Sequence, residues 1–124
     1  MDAEGSTHTL ITAKRVMGAP VLSPAGEKLG HVHDLSIHKV SGQVVYALIS
    51  FGGFLGVGEQ IHPVPWSVLD YEPTKGGYVT SLTKADLEAA PMLSEKDFED
   101  LGAGDAWRAR IFDYYGRYGA VPYI

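Results

Sequence analysis

The sequence predicts a mainly β fold: a small, strongly bent barrel followed by short C-terminal helices. Three observations carry that expectation. Fifteen glycines and seven prolines in 124 residues favour short elements and tight turns over a helical bundle. Residues 43–51 form a run that is apolar on both alternating faces, as a central buried strand requires. Beyond Leu82 the pattern changes to Ser, Thr and Asp caps followed by apolar residues at helical spacing. With 45% hydrophobic residues, a single core at this chain length needs no disulfide staples, and there is no cysteine to make them.

The elements follow in order. Residues 1–9 read as a flexible tail. Residues 12–18 suit one helical turn, with Thr12 at its start and Gly18 as its stop. Pro20-Val21-Leu22 is a short strand, and Ser23-Pro24-Ala25-Gly26 fits a type I turn. In residues 28–40 the apolar positions Leu29, Val32, Leu35 and Ile37 change parity twice, so a strand here needs two bulges, near Gly30 and near His33-Asp34. An amphipathic helix is the rival reading, weakened by Gly30 and by β-branched residues at 32, 37 and 40. Ser41-Gly42 turns the chain into the central strand. Its outer positions Val44, Tyr46 and Leu48 call for a helix or a second subunit over them. Pro63 and Pro65 make residues 60–66 an edge or crossing segment. Residues 67–72 and 77–82 read as a hairpin. Thr83 with Asp86, Ser94 with Asp97, and Asp105 then open three short helices, the last carrying Trp107, Ile111, Tyr114 and Tyr115 in one stripe.

Composition excludes more functions than it selects. Without cysteine there is no thiol nucleophile, cysteine zinc site or iron–sulfur cluster. Fifteen acidic against ten basic residues give a net charge of −5, which repels a phosphate backbone, so no nucleic-acid partner is expected. The first eight residues lack the basic and apolar stretches of a secretory signal, and the longest apolar run, residues 44–49, is far short of a bilayer span. A cytoplasmic location is the expectation.

Three stretches carry a family resemblance: Pro24-Ala25-Gly26-Glu27-Lys28-Leu29-Gly30-His31-Val32-His33-Asp34-Leu35, then Gly52-Gly53-Phe54-Leu55-Gly56-Val57-Gly58-Glu59, then Val64-Pro65-Trp66-Ser67. In that order they resemble the PRC-barrel family, which includes the cytoplasmic domain of the photosynthetic reaction-centre H subunit and the C-terminal domain of a ribosome-maturation factor. The similarity spans about residues 10–91, read as the barrel domain. Residues 92–124 look like the helical extension of some stand-alone bacterial members. The resemblance implies a bent PRC-type β-barrel that docks to other molecules, with no catalytic residue and no cofactor to carry over.

Candidate sites are few. His31 and His33 would lie about 7 Å apart on one face of a regular strand, within reach of a shared metal if His62 or Asp70 supplied a third ligand. Surface or structural histidines are the plainer reading, so no metal is expected. The glycines at 52, 53, 56 and 58 do not match a nucleotide-binding spacing and precede no helix; the loop more simply presents Phe54 and Leu55 as a contact knob. The aromatic stripe of Trp107, Ile111, Tyr114 and Tyr115 and the strand face of Val44, Tyr46 and Leu48 are the other interaction candidates. A homodimer docking to an unidentified protein is the resulting expectation. Its rivals are a peripheral membrane accessory of bioenergetic type, a histidine metalloenzyme and a ribosome-associated factor.

Overall fold

The computed structural model describes residues 9–51, 60–92 and 106–118. Six strands form one mixed sheet: β1 Pro20–Leu22, β2 Lys28–Ile37, β3 Val44–Phe51, β4 Gln60–Pro65, β5 Asp70–Glu72 and β6 Gly77–Val79. Their order across the sheet is β4-β3-β2-β1-β6-β5. Strands β1 to β4 make an antiparallel meander; the β5–β6 hairpin then joins the far side of β1, with β6 parallel to it.

The expected strong bend is present, whereas closure is not. Strands β4 and β5 are the two edges, and they pair with no further strand among the described residues. They are nevertheless consecutive in the chain, joined by a 3₁₀ turn at Trp66–Val68. Flat, six strands would hold their edges about 24 Å apart. The five steps from Pro65 to Asp70 span at most about 17 Å, so the sheet must curl to bring its edges towards each other.

Bulges supply the curl. The register of β1 on β2 jumps from Val21↔Gly30 to Leu22↔Lys28, leaving Leu29 as the extra residue. On β3 it jumps from Val32↔Ile49 to Asp34↔Leu48, leaving His33 extra. Both lie where the parity changes predict them. A third shift, between Ser36↔Tyr46 and Ile37↔Val44, puts the extra residue Val45 on β3, where an unbroken apolar run conceals parity. The Asp34 carboxylate accepts the Leu35 N–H at 2.7 Å, giving a polar partner to backbone at the second bulge.

Turn chemistry follows the sequence. Gly26 N–H donates to the Ser23 carbonyl at 2.9 Å and closes the first turn. Gly42, at φ +79, completes the β2–β3 connection, a left-handed conformation that an L side chain resists. Residues 67–69 depart from the expected hairpin: Ser67 and Val68 belong to the 3₁₀ turn, Leu69 follows it, and the paired strand begins only at Asp70.

Three helices are described: α1 Ala13–Val16, α2 Lys84–Ala89 and α3 Ala106–Tyr115. Thr12 sits at the start of α1 without a side-chain cap, and its carbonyl accepts from Arg15 and Val16. Helix α2 opens on a full capping box, with Thr83 Oγ1 accepting from Asp86 N–H at 3.0 Å and the Asp86 carboxylate accepting from Thr83 N–H at 2.9 Å. The expected Ser94 helix and the Asp105 cap lie outside the described residues. The core gathers Val21, Val32, the β3 residues from Tyr46 to Ile49, Val64, Tyr78, Leu82 and Leu87 with Ile111 and Tyr115 of α3.

Candidate functional site

The strand face that called for a cover receives it within the chain. Tyr46 and Leu48 are buried and Val44 is half-buried. Helix α3 packs against β4, and the rings of Phe112 and Tyr46 lie 5.6 Å apart. Burial pushes the Tyr46 phenol pKa up, while the nearby positive charge of Arg108 partly offsets the rise. Ile111 and Tyr115 are buried, and Tyr114 is half-buried with its hydroxyl donating to the Asp86 carbonyl at 2.6 Å. Arg117 stacks 4.9 Å from the centre of the Tyr114 ring. The aromatic stripe therefore ties α3 to the sheet and to α2. Trp107 lies in α3, and its side chain is outside the described residues, as are Phe54 and Leu55.

The histidines do not converge. Register sets His31 beside Ser50 and His62 beside Ile49, neighbours on β3 whose side chains point to opposite faces. His33 is the exposed extra residue of the second bulge, and Asp70 is exposed on the opposite edge strand. No cluster of three or more potential metal ligands occurs among the described residues. His62 is buried and stacked on Phe51, with ring centroids 4.4 Å apart. Burial holds its pKa below the usual histidine value, opposed by the nearby backbone of Pro91 and Ala90. Neither ring nitrogen reaches a hydrogen bond of good geometry with a described residue. His38 is exposed and accepts the Ser41 N–H on Nδ1 at 3.1 Å, a turn contact.

Away from the α3 side, an aromatic ladder runs from the core to the surface. Half-buried Trp66 packs on buried Tyr78 at 5.2 Å, and Tyr78 meets Tyr71 edge-on at 5.2 Å. Burial raises the Tyr78 pKa, and Tyr71 adds to the rise. Tyr71 itself is 40% exposed on the edge strand β5. It forms one wall of an open groove of about 320 Å³ whose other lining residues are Ile11, Arg15, Pro73 and Gly76. Sequence reading does not single out this groove, because its residues come from chain segments some 60 positions apart and none belongs to a motif. The available signal was local: Ile11 and Arg15 lie four apart around one helical turn, and Tyr71 alternates with Asp70 and Glu72 on a short strand.

The PRC-barrel domain model matches residues 8–87. The chain belongs to the PRC-barrel family. It is also 28% identical over 97 residues to an uncharacterized protein of Deinococcus radiodurans, an alignment covering 78% of this chain and 31% of that relative. The chain thus spans about a third of the curated relative it matches. No helix among the described residues is long and apolar enough to cross a membrane.

Proposed function

We propose that this PRC-barrel chain is a non-catalytic docking module that engages a protein partner. The observation that supports the reading is the placement of its exposed apolar groups. Tyr46, Leu48, Ile111 and Tyr115 are consumed by internal packing, while Ile11 and Tyr71 stay 42% and 40% exposed beside a sheet edge that no further described strand pairs with. The groove there offers a guanidinium and a phenol, with no nucleophile set against a base. Self-association is the simplest case of such docking, since symmetric dimers are the commonest oligomers. It would use surface other than the Tyr46–Leu48 face, which α3 of the same chain already covers.

Photo-crosslinking tests the reading. A benzophenone amino acid placed at Tyr71 in the native cell is expected to give a discrete protein adduct that is lost on Ile11→Asp. Absence of any adduct from this and every other exposed strand or loop position would overturn the docking function. Light scattering that returns a monomer at micromolar concentration would remove self-association and leave a different protein as partner.

A further inference from the structure

We infer that the groove between α1 and the β5–β6 turn takes a short extended peptide that carries a carboxylate next to an apolar side chain, the carboxylate on Arg15 and the apolar group against Ile11, Tyr71 and Pro73. The inference deepens the docking reading and rests on it.

Charge argues for the carboxylate. Arg15 lines the groove and makes no ion pair with a described residue. Its helix carries Lys14 and Arg15 and no acid in its first turn. Glu72, the acid set between two lining residues in the chain, is engaged elsewhere: its Oε2 accepts from Thr74 Oγ1 at 2.8 Å and from Thr74 N–H at 3.4 Å. These bonds from Thr74 hold the Glu72 pKa below its usual range, aided by the charge of Lys75. Arg15 is the charged residue among those lining the groove, so it is the group that meets a ligand's charge there, with ionised Glu72 outside the lining.

Shape and edge chemistry argue for a peptide. The Tyr71 wall is braced by Tyr78 and through it by Trp66, so little side-chain freedom is lost on binding. The floor at Gly76 is held by its N–H donating to the Glu72 carbonyl at 3.0 Å. Strand β5 lies at the sheet edge and pairs, among the described residues, with β6 alone, so its outer side is where an extended segment would add. A second copy is a poor occupant by strand pairing. Antiparallel β5 on β5 centred on Tyr71 would set each Asp70 against the partner's Glu72, like charges face to face.

The test uses the full chain, labelled with ¹⁵N, and three blocked pentapeptides, Ala-Leu-Glu-Leu-Ala and its Gln and Lys counterparts. The Glu peptide is expected to move the amides of Ile11, Arg15, Tyr71 and Gly76 saturably, with the Gln peptide about fivefold weaker, the size of one good exposed ion pair. Arg15→Gln should weaken the Glu peptide about fivefold and leave the Gln peptide unchanged. Equal affinity for all three peptides, no saturable shift at millimolar peptide, or shifts elsewhere on the molecule would overturn the proposal. Shifts of the same amides with protein concentration alone would assign the groove to a second copy and overturn it too. A crosslink at Tyr71 together with no peptide selectivity sinks the acidic occupant and spares the docking reading; no crosslink at any exposed position sinks both.

Discussion

Replacing Gly30 by alanine should be among the most damaging single-methyl changes in this protein. Gly30 lies on β2 beside the first bulge. A Cβ there would stand 2.5 Å from the Ser50 carbonyl oxygen, 2.8 Å from Phe51 Cβ and 3.3 Å from Ile49 Cγ2. Carbon and oxygen in close strand contacts keep about 3.3 Å, so the backbone would have to part by about 0.8 Å. Ser50 cannot retreat cheaply, because β3 is bonded to β2 on one side and to β4 on the other. The cost belongs at the upper end of overpacking, about 3 kcal/mol, which at this size lowers Tm by about 10 °C. Gly42→Ala is the control. Its φ of +79 makes alanine strained, yet the added methyl meets nothing within 4 Å, so about 1 kcal/mol is expected. Urea and thermal unfolding followed by tryptophan fluorescence measure both. If Gly30→Ala proves no worse than Gly42→Ala, β2 and β3 do not approach as described and the bent sheet is wrong.

Acid should destabilise the fold through His62. Its native pKa is lowered, so below the ordinary value of about 6.5 the unfolded chain takes up a proton that the native state refuses, and stability falls as pH drops. His62→Leu should flatten that slope in urea titrations at pH 7.5 and pH 5.5, and an unchanged slope would assign the acid sensitivity to another group. Ile111→Ala, which opens a cavity beneath α3, should cost about 3 kcal/mol, with faster amide exchange in α3 than in β3. A loss below about 1 kcal/mol would mean α3 is not seated on the sheet. Thr83→Ala removes half of the α2 capping box and should cost about 1 kcal/mol by chemical denaturation, whereas Thr83→Ser should retain most of it.

The local grammar of the chain was legible because it depends on nearest neighbours. A Ser41-Gly42 turn, a proline-led turn at 23–26 and a Thr83/Asp86 capping box each satisfy their own backbone within four residues, so sequence alone names them. The two bulges on β2 were legible for a related reason. Half-buried strands must alternate, and Leu29, Val32 and Leu35 break the alternation. The bulge at Val45 was not, since a strand apolar on both faces has no parity to break.

Tertiary structure decided what was shared between distant segments. The face of Tyr46 and Leu48 needed a cover, but periodicity specifies that a surface is apolar and not which element will meet it; Phe112 and Arg108 supply that answer from 60 residues away. The spacing of His31 and His33 suggested a shared ligand, and one extra residue together with the opposite facing of His62 dissolved the set. The edge position of β5 and the groove of Arg15 and Tyr71 likewise exist only once β6 joins β1. Sequence fixes the covalent neighbours that set backbone conformation; which surfaces stay in water is decided by the competition of all elements for burial, and in this protein that remainder is where function is proposed to lie.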